Sequence, residues 1–368
     1  MARLPFMVCL TSAVLVSACA QRPRVSALPE TGDSERATRL ATTFDSLRTA
    51  RRIPGLAVVI LRDTSVILER GFGYSDVERG VPVTTATPFN IASVTKPISA
   101  VVALRLVERG LLDLDRPMTS YQNFAEFCTD VRKDGGIFFR DYDCDRQPLT
   151  MRHVLSMTAN GAPGTRFFYN PPSFSWASRP MAQVSGMTFS DLTAVEVFAR
   201  AGMTHSARTN RRLPLAPEMA RQLAKPYHVD SSGRVVPSDP PPPQGDGAAG
   251  GVISTAMDLA RFDIALDQGR LLSAASRDAM WKAGRSPSGS ELPYGLGWFV
   301  QQYGDEKLLW HTGLWDGAYS ALYLKVPSRR LTLILLANSE GLNWGNGLGE
   351  ASAHRSPFVA AFLAAFPR

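Results

Sequence analysis

The sequence predicts an α+β fold: one antiparallel sheet assembled from both chain ends, with flanking helices and an inserted, mostly helical region. Short runs of β-branched and apolar residues lie near positions 56–71 and again near 319–338, at opposite ends of the chain. Segments with helical patterns lie between them, and this arrangement is typical of α+β proteins. The predicted sheet part covers about 37–90 and 251–368, and the predicted helical part about 91–250.

The first strands are predicted at Leu56–Arg62 and Val66–Gly71, where a run of three polar residues between them favours a hairpin. The next element is a helix from Ile98 to Arg109. This segment is apolar on nearly every side, which indicates a buried helix, and Gly110 suits its C-terminal end.

The remaining chain alternates helices, one long loop and a second hairpin. Residues 237–251 are rich in Pro and Gly and predict a loop without regular structure. The last segments predict two strands and an apolar C-terminal segment. The predicted elements are helices at 152–157, 189–201 and 256–268, strands at 319–326 and 331–338, and the apolar segment at 357–366.

Composition excludes several classes of function. The chain has 368 residues, 45% hydrophobic and 20% charged, with a formal net charge of +7. Its basic residues are scattered, whereas nucleic-acid binding needs a clustered basic stripe, so we expect no nucleic-acid partner. No metal-binding motif occurs and the five histidines are dispersed, so we expect neither a metal nor a cofactor. Residues 37–368 are long enough for a single catalytic domain.

The N-terminus predicts export. Arg3 is followed by an apolar segment at 6–16 and the sequence Val-Ser-Ala-Cys, which ends at Cys19. One interpretation is an ordinary secretory signal with Val16 and Ala18 at the cleavage site. The cysteine directly after Val-Ser-Ala favours another, because the segment resembles the lipoprotein signal of bacteria.

That second resemblance implies that residues 1–18 are a signal peptide and that Cys19 is lipidated. Ala20 follows where an aspartate would imply retention in the inner membrane. We therefore expect a lipoprotein of the bacterial outer membrane that faces the periplasm, with the lipid bilayer as its partner. Residues 19–36 are polar, contain Pro and Gly, and predict a flexible tether.

Export changes the interpretation of the other cysteines. With Cys9 in the signal peptide and Cys19 modified, Cys128 and Cys144 remain. Two free buried thiols are one alternative. In an oxidising compartment a disulfide is favoured, and its loop closure stabilises the fold by about 3 kcal/mol.

The segment F-N-I-A-S-V-T-K contains a candidate nucleophile and base. Ser93 and Lys96 are three residues apart, so in a helix they share one face. A serine needs a base to remove its proton, and a lysine can act as that base when burial lowers its pKa. The alternative is a surface serine near a surface lysine, because Ser-x-x-Lys recurs by chance about once in a few hundred residues.

Further segments strengthen the catalytic interpretation. A loop-to-helix segment reads G-G-V-I-S-T-A-M-D-L-A-R-F, followed by Y-G-L-G-W and W-H-T-G-L-W. The His-Thr-Gly sequence is predicted on an edge strand, where it offers close backbone approach to a ligand and a free N–H at Leu314. The alternative is a turn with a solvent-facing histidine.

This set of motifs resembles the penicillin-recognising serine hydrolases: class C β-lactamases, D-alanyl-D-alanine carboxypeptidases, and their esterase and aminopeptidase relatives. The resemblance covers most of residues 37–345. The motifs that carry it are F-N-I-A-S-V-T-K, R-H-V-L-S-M-T-A-N-G, P-G-T-R-F-F-Y-N, I-S-T-A-M-D-L-A-R-F and H-T-G. It implies a β-lactamase/transpeptidase-like fold.

The resemblance also implies roles for single residues. Ser93 is the expected nucleophile, with Lys96 as the residue that accepts its proton or orients it. Tyr169 falls at the family's Tyr-x-Asn tyrosine, although a packing role among neighbouring aromatic residues is the alternative. Burial is expected to lower the pKa of Lys96, and a neighbouring cation that of Tyr169. His311 stands where most relatives with full β-lactam activity keep a lysine.

The substrate-binding strand is expected to comprise Thr312, Gly313 and Leu314. The backbone N–H groups of Ser93 and Leu314 would form the oxyanion hole.

Two departures from the family pattern point to the substrate. Pro171 stands where the motif asparagine is expected, with Asn170 one place early, and His311 replaces the lysine. Both departures favour ester, amide or D-amino-acid peptide substrates over β-lactams. The expected function is an exported serine hydrolase that forms an acyl-serine. The alternatives are a true β-lactamase or D-alanyl-D-alanine carboxypeptidase, or a non-catalytic lipoprotein that binds cell-wall peptides.

Overall fold

The computed structural model describes Met1 and residues 31–144, 149–345 and 350–367. Apart from Met1, the predicted signal peptide lies outside these residues, as do the lipidation site at Cys19 and most of the predicted tether. No helix in the described ranges combines the length and the apolarity needed to cross a bilayer.

The main sheet has seven antiparallel strands in the order β11-β12-β13-β14-β1-β2-β3. The first strand pairs with the last, Leu56 opposite Ala337, so the two chain ends meet at the centre of the sheet as predicted. Both predicted hairpins are present. The strands are β1 Gly55–Arg62, β2 Ser65–Asp76, β3 Val81–Pro82, β11 Phe299–Tyr303, β12 Glu306–Trp315, β13 Tyr319–Val326 and β14 Leu331–Ala337.

Three smaller sheets surround the main sheet in the orders β4-β8-β5, β6-β7 and β10-β9. The three-stranded sheet matters for the site because β4 leads directly into the turn that contains Ser93. The strands are β4 Phe89–Asn90, β5 Ala207–Arg208, β6 Tyr227–Val229, β7 Val235–Pro237, β8 Val252–Ser254, β9 Gly284–Arg285 and β10 Glu291–Leu292.

Helices fill the middle of the chain and flank the main sheet. The predicted helices near 98, 152, 189 and 256 are present, and the apolar segment at 357 also forms a helix. The predicted loop at 237–251 is wrong at its first residue, because Pro237 ends a short strand, and residues 238–251 hold no helix or strand. The helices are α1 Thr31–Ala50, α2 Thr95–Glu108, α3 Phe124–Asp134, α4 Gly136–Phe139, α5 Met151–Leu155, α6 Pro171–Trp176, α7 Ser178–Ser185, α8 Phe189–Thr193, α9 Ala199–Ala201, α10 Pro217–Gln222, α11 Ala256–Asp267, α12 Ala274–Met280 and α13 Pro357–Ala365.

Helix α1 corrects the predicted tether. The tether was expected to reach residue 36, but α1 begins at Thr31. Its Asp33 is buried and accepts hydrogen bonds from Arg62 at 2.5 and 3.0 Å. Leu40 and Phe44, four residues apart, are buried, and Phe44 packs on Phe358 of α13. This helical spacing of apolar residues is the signal that the sequence prediction missed.

A disulfide joins Cys128 of α3 to Cys144, with the Cα atoms 6.0 Å apart. This is the pair that the sequence predicts. Both cysteines are buried, beside a cluster in which Phe127 contacts Tyr142 and Trp176. The bond therefore ties α3 to the segment before α5, in the helical part of the fold.

Candidate active site

Ser93 lies in a single 3₁₀ turn, Ala92–Val94, between β4 and α2. Ala92 has a φ of 45°, in the left-handed region that residues with a side chain rarely adopt. Asn90 holds this conformation, because its side-chain oxygen accepts a hydrogen bond from the Ala92 N–H at 2.9 Å. Strained backbone of this kind is concentrated at functional sites.

Lys96 lies on the first turn of α2 and is completely buried. Its Nζ is 2.7 Å from Ser93 Oγ and donates to the Ala249 carbonyl at 2.9 Å. Burial lowers the pKa of Lys96 well below its ordinary value, since the charged ammonium would lose its hydration. Burial therefore favours the neutral amine, whose lone pair can accept the serine proton.

Tyr169 is almost fully buried, and its hydroxyl is hydrogen-bonded to Ser93. Burial raises its pKa above the ordinary value, and the bond to Ser93 lowers the pKa by less. The predicted lowering of this pKa by a neighbouring cation is wrong, because burial has the larger effect and raises the pKa. The ring also stacks on Phe299, so Tyr169 both packs and contacts the nucleophile.

His311 on β12 is completely buried, which rules out the solvent-facing alternative. Its Nδ1 lies 2.7 Å from the Thr312 carbonyl, which can only accept, so Nδ1 carries the proton. The Tyr294 hydroxyl then donates to Nε2 at 2.8 Å. Burial, with a smaller effect from Lys96, lowers the pKa of His311 well below its ordinary value, so the ring is neutral.

Only the second half of strand β12 lies at an edge of the sheet. It lies between β11 and β13, but its pairing with β11 ends at Trp310. The stretch from His311 to Trp315 is paired with β13 and has no β11 partner. The predicted edge position is therefore confirmed for the His-Thr-Gly segment, whereas the first half of β12 is paired with β11.

Gly313 lets this strand approach the nucleophile turn, because a Cβ here would lie 2.2 Å from the Ile91 carbonyl oxygen. The Thr312 hydroxyl donates to the Ala321 carbonyl at 3.1 Å, so it is used within the sheet.

A cavity of about 410 Å³ opens over Ser93. Leu314 lines the same cavity, so the structure brings together the two residues predicted to form the oxyanion hole. Thr312 and Gly313 are not among the lining residues. The cavity is lined by Ala92, Ser93, Pro171, Pro172, Ser175, Arg208, Gln244, Gly245, Ala249, Gly250, Leu314 and Trp315.

Comparison with known proteins identifies the fold and the family. The family model described as Beta-lactamase matches residues 40–353. The chain belongs to the beta-lactamase family. It is therefore a serine hydrolase, as the sequence motifs predict, with a penicillin-binding-protein-like α+β fold.

The individual relatives of this beta-lactamase-family chain share limited sequence identity with it. Penicillin-binding protein 4* of Bacillus subtilis is 28% identical over 329 residues, which are 82% of this chain and 71% of that protein. Esterase EstB of Burkholderia gladioli is 42% identical over 85 residues, 23% of this chain and 22% of that protein. The crystal structure of D-amino acid amidase from Ochrobactrum anthropi superposes with a TM-score of 0.67 at 20% identity, over 89% of this chain and 98% of that chain.

This member of the beta-lactamase family lacks an amide at the motif position. Asn170 does not replace it, because its side chain is used for structure. Its Oδ1 caps α6 by accepting from the Ser173 N–H, and its Nδ2 donates to the Phe138 carbonyl and to Asn160. Pro171 lines the cavity instead, so the wall there is apolar.

Tyr294 is a site residue of this family member that the sequence prediction did not single out. It lies in the segment Y-G-L-G-W, which was noted without a role. Gly297 in that segment adopts a φ of +73°, and a Cβ there would lie 2.7 Å from the Lys96 carbonyl oxygen. The paired glycines were the available signal, since they allow the backbone to pass close to α2.

Arg208 was also missed, and no sequence pattern marks it. Its guanidinium is buried and donates to the carbonyls of Thr209, Gly245 and Gly247. Burial lowers the pKa of Arg208 to about 10, so it remains a cation at neutral pH. These bonds fix the Gly-rich loop that supplies the Ala249 carbonyl to Lys96.

Proposed function

We propose that this chain is an exported hydrolase that cleaves ester, amide or D-amino-acid peptide substrates through an acyl-serine at Ser93. The single observation that supports this most is the position of Lys96. A completely buried lysine lies 2.7 Å from a serine hydroxyl that opens into a cavity. Neither a packing role nor a passive binding role requires a neutral amine beside a serine.

The geometry supports a two-step mechanism. In the first step Ser93 Oγ attacks the substrate carbonyl, and its proton passes to the Lys96 amine. The Tyr169 hydroxyl, which keeps its own proton, stabilises the serine oxygen by its hydrogen bond. The backbone N–H groups of Ser93 and Leu314, which line the same cavity, would stabilise the carbonyl oxyanion. The leaving group departs with the proton held by Lys96.

In the second step water attacks the acyl-serine. Lys96, again neutral, accepts a proton from that water, and the acid is released as Ser93 regains its hydrogen. Ser93 and Lys96 therefore return to their starting protonation states at the end of the cycle. The same residues thus serve both steps, as expected for a site with one base.

Two features of the site favour esters and D-peptides over β-lactams. Pro171 gives the cavity an apolar wall where family members carry an amide. His311, which is buried and does not line the cavity, is a neutral ring that cannot pair with a substrate carboxylate. The esterase and the D-amino acid amidase among the similar proteins support the same substrate classes.

Labelling with a fluorophosphonate probe tests the catalytic proposal. Wild-type protein should become covalently labelled, because the probe reacts with an activated serine. Ser93→Ala should lose the label, whereas Ser175→Ala, which removes another hydroxyl of the cavity, should keep it. Absence of labelling in the wild type, beside a labelled control hydrolase, would instead support the non-catalytic binding protein.

The proposed substrate preference can be tested by measuring kcat/KM for a panel of substrates. Short-chain p-nitrophenyl esters and D-amino-acid amides should give a higher kcat/KM than nitrocefin. Pro171→Asn, which restores an amide to the cavity wall, should raise the ratio of nitrocefin to ester turnover. Pro172→Asn, at the neighbouring lining position, is the matched control and should not. A wild-type kcat/KM for nitrocefin above that for every ester would overturn the proposed preference.

We also propose that the chain is lipidated at Cys19 and anchored in the outer membrane, facing the periplasm. The Val-Ser-Ala-Cys segment supports this, together with the disulfide, which suits an oxidising compartment. Metabolic labelling with a radioactive fatty acid should mark the wild-type protein and Cys9→Ser, but not Cys19→Ser. Equal labelling of the two variants would contradict lipidation at this position.

A further inference from the structure

A second cavity, of about 230 Å³, lies between α5, the end of α12 and the β9–β10 hairpin. Tyr294 forms part of its wall, so it borders the catalytic site without including Ser93 or Lys96. Four basic residues line it, and none of its lining residues is acidic. The basic residues are Arg152, His153, Lys282 and Arg285.

His153 presents an N–H donor in this cavity. The Thr150 backbone N–H lies 3.2 Å from His153 Nδ1, and because that N–H can only donate, Nδ1 must be the acceptor. Burial lowers the pKa of His153, so the ring is neutral and carries its single proton on Nε2. Nε2 lies beside Gly164, another lining residue, where a Cβ would be 3.2 Å away. Among the described residues no hydrogen-bond acceptor for Nε2 is found.

The cavity also has uncompensated positive charge. Arg152 is paired with Asp115 through bonds of 2.6 and 2.7 Å, so its charge is balanced. Lys282 and Arg285 form no ion pair within the described ranges. Glu291 lies opposite Arg285 in the β9–β10 ladder, but it neither lines the cavity nor forms an ion pair with Arg285 there.

We propose that this cavity binds a small oxyanion, a phosphate or carboxylate group, between His153, Lys282 and Arg285. Two cations and one neutral N–H match an acceptor with several oxygens, and charge-assisted bonds of this type are among the stronger hydrogen bonds. The volume suits a small ion or metabolite rather than a peptide. The site is separate from the acyl-serine chemistry, so it stands whether or not the proposed substrates are correct.

Titration calorimetry with inorganic phosphate tests the proposal, with acetate and chloride in parallel at equal ionic strength. Wild type should bind phosphate or acetate saturably, and the stronger of the two identifies the group preferred. Lys282→Gln/Arg285→Gln should weaken binding by at least about tenfold, since two charge-assisted bonds are lost.

The matched control is Arg212→Gln/Lys307→Gln, which removes the same charge at two exposed positions outside the cavity. It should bind within about twofold of wild type, because general surface charge contributes little in salt. Binding that is equal for chloride, or equally weakened in both double variants, would show a nonspecific charge effect and overturn the site. Absence of saturable binding of phosphate and acetate to wild type would overturn it as well.

Discussion

Replacing Lys96 by alanine is expected to lower kcat/KM by about 10³-fold or more, near the upper range for loss of a general base. The amine is 2.7 Å from Ser93 Oγ, and none of the residues that line the cavity offers a neutral base of comparable strength. The serine hydroxyl would then have to lose its proton without an acceptor. Steady-state hydrolysis of a p-nitrophenyl ester measures the loss.

Two further variants distinguish loss of the base from a change in charge. Lys96→Arg places at this position a guanidinium that stays protonated at any accessible pH, so it should be as inactive as the alanine variant. Lys307→Ala removes an exposed lysine and should leave turnover unchanged. Circular dichroism and thermal melting must show folded protein in each case. Substantial activity in folded Lys96→Arg would mean that Lys96 is not the base.

The pH dependence follows from the same lysine. Because burial lowers the pKa of Lys96 well below 10.5, kcat/KM should rise as the pH increases through that lowered value and the amine loses its proton. Tyr169 must keep its proton, and burial raises its pKa above 10.0, so activity should reach a plateau and fall only at more alkaline pH. The rising limb should be absent from any residual activity of Lys96→Ala.

The second large effect is expected for Tyr169→Phe, which should cut kcat/KM by about 10²-fold. The change removes the hydroxyl that is bonded to Ser93 and keeps the ring that stacks on Phe299. The loss should therefore fall mainly on kcat, with stability near that of wild type. Kinetics and melting of the same preparation measure both quantities.

Tyr142→Phe is the matched control for this substitution. Tyr142 is also buried, and its hydroxyl accepts a hydrogen bond from Ser173 at 3.1 Å, away from Ser93. Loss of that bond should change stability, with activity largely kept. If Tyr169→Phe and Tyr142→Phe behave alike, Tyr169 is a packing residue and contributes nothing specific to catalysis.

Much of the fold could be predicted because its signals are local. The strands near 56 and 331 are dense in β-branched and aliphatic residues, and α2 is apolar on nearly every side. Helix α1 was missed because its buried residues are small or few, and its buried Asp33 appears polar until the partner Arg62 is known. An ion pair between residues far apart in the sequence, such as Asp33 and Arg62, leaves no local pattern from which it could be predicted.

The same limit applies to the candidate site. The Ser93–Lys96 contact could be predicted because one helical turn sets it. The neutrality of His311 could not, since it depends on burial and on the distant Tyr294. The direction of the Tyr169 pKa shift was predicted wrongly because the sequence does not show how deeply the ring is buried, and burial raises the pKa.

The pairing of β1 with β14 has a consequence for how the protein is made. The Gly55 N–H is bonded to the Asn338 side chain, 283 residues further along the chain. A ribosome must therefore synthesise nearly the whole polypeptide before the central strand finds its second neighbour. Until then β1, buried at almost every position in the finished protein, exposes an apolar edge. Folding should be slow and late, and a truncated product should aggregate or need a chaperone.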